Sequence, residues 1–229
     1  MTIDGIRIEW VAVIEIWGGR IMGILDGRMN RRAREEELRK EGRLPAGQSL
    51  TEEFPVLTYG PIPKFNPAAW DLRVFGTVEN ELRWNWEEFQ KLPTAPVMTD
   101  IHCVTRWSKF DTKWEGVRFK DIATMAGMKP ETRHIIAHCD YGYTTNVPVE
   151  DMMRDTILLA YIYDGKPLTP EHGGPVRTLV PHLYFWKSAK FVRGLEFSEV
   201  DKPGFWEVNG YHNYGDPFKE ERHSRRGFF

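Results

Sequence analysis

Between residues 70 and 197 the chain is a series of strand-length segments interrupted by short helical ones. No long crossover helix recurs between them, so a doubly wound parallel sheet is ruled out. Residues 70–78 alternate as a strand, Glu79 and Asn80 make a turn, and Asn85 caps a short helix over 86–92. Further strands are expected over 133–139, 141–149, 156–163, 176–180 and 191–197. Helices are expected over 119–126, stopped by Gly127, and over 150–154; Asp164-Gly165 is a tight-turn signal. The pattern predicts an α+β fold with a mixed sheet and no internal repeat.

Ahead of this series, residues 54–70 contain Pro55, Pro61, Pro63 and Pro67, which stiffen an extended segment and exclude a central strand. Residues 42–53, with Pro45, Gly47 and Ser49, read as a linker. The expected organisation is an extension over 1–53 and a main domain over 54–229. Within the extension, residues 22–41 are rich in helix formers and Gly42 supplies a stop. A basic block (Arg28, Arg31, Arg32, Arg34) precedes an acidic one (Glu35 to Glu37), which permits ion pairs one turn apart on a solvated face.

The apolar run over 6–17 is interrupted by Glu9 and Glu15 and is too short for a membrane span. No twin-arginine pair precedes it. The expectation is a cytoplasmic protein with no membrane span; a strand, an extension and translation from an upstream start codon all stay open for this run. A length of 229 residues can bury one substantial core, and a net charge of -2 gives nucleic acid no electrostatic hold. Two cysteines build neither a disulfide framework nor a zinc site, and the default compartment is reducing.

Cys103 ends the apolar, β-branched run that begins at Met98. With His102 and Arg106 beside it the thiol is biased towards thiolate, a soft ligand for a heavy transition metal. On residue type alone a buried small hydrophobe is the competing reading.

Several separated motifs decide between them: HCVTRWS at 102–108, WEGVRFKDI at 114–122, GYTTNVP at 142–148, EHGGPVR at 171–177 and LYFWKSAKFVRGLEF at 183–197. In order and spacing, from Phe54 to Glu221, the chain resembles the molybdopterin-binding domain of the sulfite oxidase family. The resemblance implies that Cys103 is the one protein ligand of a molybdenum held by a pterin dithiolene. It implies that His172 and Arg177 contact the pterin, that Lys187, Ser188, Ala189 and Lys190 hold the pterin and its phosphate side, and that Tyr59 lies in a stretch passing close to the cofactor. His138, or Cys139 beside it, falls near another family contact, with a core histidine as the alternative. Tyr211, five residues after Trp206, matches an active-site tyrosine able to relay a proton, or else packs in a turn; His212 stands where the family usually has lysine.

The departures bear on substrate. Leu57 occupies the position of one sulfite-binding arginine, and Arg106 sits too close to Cys103 to match another. Each lost charge-assisted donor removes roughly 1.5 to 3 kcal/mol of oxyanion binding, so sulfite is disfavoured. The residues after Cys103, with Trp107, look more like the bacterial methionine sulfoxide reductases of this fold. The expected activity is a molybdenum-dependent transfer of an oxygen atom and two electrons on an unidentified small substrate. With no haem-ligating motif and no iron–sulfur cysteine set in the sequence, a separate electron partner is expected. The alternative is a non-catalytic carrier of the molybdenum cofactor.

Overall fold

A computed structural model describes residues 29–224 of the chain, which divides into two compact units, Met1–Leu44 and Pro45–Phe229. In the first unit, residues 29–40 form helix α1. Its charge blocks pair as their order allows: Lys40 lies 2.8 Å from Glu36, and Arg31 and Arg39 lie 3.7 and 3.8 Å from Glu35. Gly42, at φ 70°, sits just past the helix end. The apolar run over 6–17 and the start of the expected 22–41 helix lie outside the described residues.

The second unit is built on two sheets. One holds β1 (Ser49–Leu50), β4 (Ala95–His102), β5 (Trp107–Arg118), β8 (Leu158–Tyr163), β9 (Lys166–Pro167) and β10 (Arg177–Leu179). The other runs in the order β3 (Leu82–Asn85), β2 (Asp71–Gly76), β11 (Val192–Ser198), β6 (His134–Cys139), β7 (Thr144–Pro148). β1 pairs parallel with β5 and β2 with β11, among otherwise antiparallel ladders, so both sheets are mixed.

Several segments differ from expectation: β3, β9 and a helix over Phe205–Val208 were not expected, and the strand expected over 141–149 begins only at Thr144, after a 3-10 turn over Asp140–Gly142. β5 was not anticipated, because Asp111 at φ 53° and a register shift between Glu115 and Gly116 interrupt its alternation. Residues 42–53 are more than a linker: β1 pairs with β5, though two residues are too few to show a period.

Local chemistry explains the helices. α2 (Trp86–Gln90) starts at a reciprocal capping box between Asn85 and Glu88. α3 (Phe119–Ala126) buries Phe119, Ile122, Ala123 and Ala126, one face of a 3.6-residue repeat, and stops at Gly127 in the left-handed conformation. That face joins Leu72, Val74, Ile135, Leu195 and Phe197 in the larger core. Each large apolar side chain buried there contributes about 1.5–3 kcal/mol. A second core, around Ile101, Trp114, Leu179 and Phe185, backs the first sheet. The remaining helices are short: α4 (Val149–Met152) and α5 (Phe205–Val208).

On the second sheet, Asp71 accepts from Arg73 at 2.8 Å, Arg83 at 2.7 Å and Arg193 at 2.5 Å. Burial works against its charge, but the hydrogen bonds from Arg193 and Arg73 outweigh it and hold the carboxyl at about 2, below its ordinary 3.8. A depressed carboxyl stabilises the fold above pH 3.8 and loses that contribution as pH falls towards 2. With its exposed arginine partners screened, the contribution is about 1 kcal/mol. Asp71→Asn is expected to flatten the stability curve between pH 4 and 2, read by urea unfolding against pH.

Candidate active site

The fold positions the site by where its strands stop. β4 ends at His102, so Cys103 is the first residue of the turn into β5, not a strand residue as expected. That turn is closed by Arg106 N–H donating to the Cys103 carbonyl at 3.0 Å and Cys103 N–H donating to Trp107 O at 2.9 Å. The chain then crosses from β10 in the first sheet to β11 in the second through residues 180–191, which carry Ser188, Ala189 and Lys190. β6 ends at Cys139 and releases Asp140 to Tyr143 on the same side.

These ends, the proline-rich stretch and α5 enclose a cavity of about 560 Å³. Cys103, Tyr59, His172, Arg177, Ser188, Ala189, Lys190 and Tyr211 all line it. Cys103 is buried, and its Sγ lies 3.1 Å from Thr105 Oγ1. Burial pushes the thiol up, and the nearby guanidinium that opposes this is Arg222 rather than Arg106. His102 gives no help to a thiolate: burial holds its imidazole at about 4, and its Nδ1 pairs with Ser108 Oγ at 2.8 Å. The expected bias from His102 and Arg106 is therefore corrected, since neighbours in sequence point elsewhere in space.

One group of lining residues is cationic. Arg177 is fully buried, donates from Nη1 to His172 O and from Nη2 to Ser188 O, both at 2.7 Å, and packs its guanidinium 4.1 Å over the Phe185 ring. Burial lowers it to about 9. Lys190 Nζ donates to Leu57 O and Glu171 O, each at 2.6 Å, and burial followed by the charge of Arg177 lowers it to about 8. Among the described residues neither cation has a carboxylate in ion-pair range. The lining carboxylate, Asp140, faces Arg193 at 3.4 Å. His172 stacks on Phe54 at 3.9 Å, and its Nδ1, like Nε1 of Trp107, is buried with no hydrogen-bond partner among the described residues.

A second group is aromatic. Tyr211 stacks on Trp206 at 4.7 Å, after donating its backbone N–H to Trp206 O at 2.9 Å, and meets Trp186 edge-on at 5.0 Å. Tyr59, exposed at the mouth, packs on Phe205 at 4.7 Å. Burial, then the charge of Cys103, raises the Tyr211 phenol, so it holds its proton at neutral pH. His212 turns inward to its own loop, its Nδ1 accepting from Gly215 N–H at 3.1 Å.

Two expected site residues lie outside the cavity. His138 Nε2 pairs with Glu196 at 3.0 Å on the second sheet. Lys187 is fully buried and bonds Asn146 Oδ1 at 2.9 Å and Glu207 at 2.6 Å. Conversely Phe54, Phe185 and Trp186 line the cavity without a site role expected of them; aromatic residues beside motifs look like any core residue in sequence.

A buried guanidinium and a partly buried ammonium with no carboxylate in ion-pair range among the described residues, unpartnered ring nitrogens and a thiol in one wall make a donor set that fits a flat, anionic, sulfur-bearing heterocycle. Gly173, at φ 103°, makes room: a Cβ there would stand 2.8 Å from Lys190 Cγ. The fold and this site define a molybdopterin-binding domain of the sulfite oxidase type. Residues 59–206 match the oxidoreductase molybdopterin binding domain family, and the chain belongs to it.

Its relatives agree. It is 47% identical over 184 residues to the uncharacterized oxidoreductase YuiH of Bacillus subtilis (strain 168), covering 80% of this chain and 93% of that protein. It is 26% identical over 168 residues to the protein-methionine-sulfoxide reductase catalytic subunit MsrP of Campylobacter jejuni, 66% of this chain but 56% of that one. The crystal structure of the sulfane dehydrogenase SoxCD from Paracoccus pantotrophus shares the fold, with a TM-score of 0.55 at 22% identity over 61% of this chain and 40% of that one. Among the described residues no helix is long and apolar enough to cross a membrane.

Proposed function

We propose that this molybdopterin-dependent oxidoreductase moves an oxygen atom and two electrons between a molybdenum centre and a small-molecule substrate, with Cys103 as the protein ligand to the metal. The observation that carries this is the Cys103 thiol in the wall of a cavity whose cationic residues, Arg177 and Lys190, have no carboxylate in ion-pair range among the described residues. When bound, the cofactor supplies the two-electron redox chemistry. The chain's own residues do the rest. His172, Arg177 and Lys190 supply donors and positive charge for the pterin and its phosphate, Ser188 and Ala189 shape the loop beside it, and Tyr59 covers the mouth. The Tyr211 phenol, fixed by Trp206 and Trp186, holds a proton at the aromatic side and donates it to a substrate oxygen.

The substrate is not a sulfite-like dianion. Arg177 is the one arginine lining the cavity among the described residues, and it is assigned to the pterin, which leaves no second arginine there for a dianion. Leu57, which by the resemblance takes the position of one sulfite-binding arginine, is among the residues lining the cavity. A separate protein exchanges electrons with the centre.

Protein made in a cofactor-producing host is expected to contain near-stoichiometric molybdenum by elemental mass spectrometry, with matching pterin fluorescence after release. Cys103→Ser is expected to lose most of the metal or to change the Mo(V) paramagnetic signal. Pterin without metal in wild type points instead to a cofactor carrier, and full metal with an unchanged signal in Cys103→Ser overturns the ligand assignment.

A further inference from the structure

Cys103 sits in a turn whose own hydrogen bonds are few, yet a metal ligand must be held in one orientation. Two side chains remote in sequence supply that restraint. Gln48, buried, donates from Nε2 to the Cys103 carbonyl at 2.9 Å. Arg222, also buried, donates from Nη1 to the Val104 carbonyl at 2.7 Å. Both stand outside the stretch 59–206 that matches the family.

Arg222 does more than hold one carbonyl. Its Nη2 reaches Ala46 O at 3.4 Å and Gly47 O at 3.5 Å, on the approach to Gln48. Its guanidinium covers the Tyr184 ring at 5.0 Å. Its backbone carbonyl accepts from His212 N–H at 3.2 Å, and the next residue, His223, bridges Tyr211. Gly47 suits this convergence: its φ of 67° is a backbone that L side chains rarely adopt, and a Cβ there would crowd the ends of Glu220 (2.6 Å from Oε1), Arg106 (3.0 Å from Nη1) and Arg222 (3.2 Å from Nη2).

We infer that Gln48 and Arg222 form a clamp that positions the Cys103 turn for metal binding and couples it to the Tyr211 segment, from two segments flanking the matched domain. The inference rests on Cys103 being the metal ligand, and neither clamp residue touches the substrate. Losing the Gln48 amide donor on one side or the Arg222 guanidinium donor on the other lets the turn rotate while the pterin contacts, made by other residues, stay in place. Metal insertion and the environment of the metal should therefore change more than pterin binding does.

The test uses the full chain with Gln48→Leu, Arg222→Met and the conservative Arg222→Lys. From a cofactor-producing host, Gln48→Leu and Arg222→Met are expected to keep pterin within twofold of wild type. Their molybdenum-to-pterin ratio is expected to fall at least threefold, or their Mo(V) signal to shift, with Arg222→Lys in between. From a host that makes no pterin, Cys103 alkylation by iodoacetamide, followed by peptide mass, is expected to run at least threefold faster in Gln48→Leu; Arg222→Met is judged on metal and signal alone, because it also removes a cation that favours the thiolate. This second readout needs no cofactor, so it separates the clamp from the proposed activity: a wild type without molybdenum sinks the activity, yet faster alkylation still supports the clamp. Wild-type metal ratio, wild-type signal and wild-type alkylation in folded Gln48→Leu overturn the clamp; should Arg222→Met not fold, Gln48→Leu alone decides.

Discussion

Lys187→Met is expected to destabilise the protein by about 3–5 kcal/mol, a large part of the roughly 5–15 kcal/mol that holds a typical domain folded. Lys187 Nζ bonds the Asn146 carbonyl at 2.8 Å, Asn146 Oδ1 at 2.9 Å and Glu207 Oε1 at 2.6 Å, and both ionic groups are almost wholly buried. Glu207 Oε1 also accepts from Trp186 Nε1 at 2.8 Å. Without the ammonium, Glu207 keeps a charge out of water with no cation beside it, which is far costlier than never having had the pair. That distinction is itself testable. Glu207→Leu in the Lys187→Met background is expected to recover a good part of the loss, because replacing a buried pair is milder than breaking it. Urea unfolding of Lys187→Met, Glu207→Leu and the double variant reads this; additive losses in the double variant would sink the coupling. Glu207 lies on α5, beside Trp206, so the same variants are expected to loosen the aromatic wall and lower pterin content.

Lys187 also shows which parts of the site could be read from sequence. Local signals worked where one segment determines its own conformation: the Asn85 cap, the Gly127 stop and the buried face of α3 all stand where residue type and spacing put them. The cavity side chains Cys103, His172, Arg177, Ser188 and Lys190 were legible through motifs several residues long. Within the same WKSAK run, however, Lys187 and Lys190 go opposite ways, one into the protein and one to the cavity. Nothing in a five-residue string separates them; the choice depends on Asn146 and Glu207, which only the fold brings near. The same limit hid Gln48 and Arg222, which meet the Cys103 turn from 55 and 118 residues away. It also misassigned the charge near Cys103 to Arg106, the sequence neighbour, when Arg222 is the cation that acts on the thiol.

Lys190 carries the complementary prediction, because its charge opposes the stability of the cofactor-free fold. Burial, then the Arg177 charge, lowers it from 10.5 to about 8. Between those values the unfolded chain keeps a proton that the folded chain has released, so the stability of cofactor-free protein is expected to rise with pH from about 8 to 10.5. The full shift corresponds to roughly 3 kcal/mol, and solvent access to the side chain reduces this to about 1–2 kcal/mol. Arg177, lowered from 12.5 to about 9, adds to the rise above pH 9. Lys190→Met should therefore flatten the curve between pH 8 and 9, while leaving the Arg177 part in place. An anionic ligand reverses the sign. It favours the protonated ammonium, so pterin is expected to be retained at pH 7 and to leave more readily above pH 8 in wild type, whereas Lys190→Met retains less at every pH. Urea unfolding of cofactor-free protein and released-pterin fluorescence after dialysis, both against pH, check the two halves. Identical pH curves for wild type and Lys190→Met would remove Lys190 from the cofactor site. The two lysines thus differ by the placement of a carboxylate: Glu207 turns Lys187 into a strut, whereas Lys190 has no carboxylate in ion-pair range among the described residues and Glu171 offsets its loss of charge only in part, which leaves an anionic ligand to compensate it.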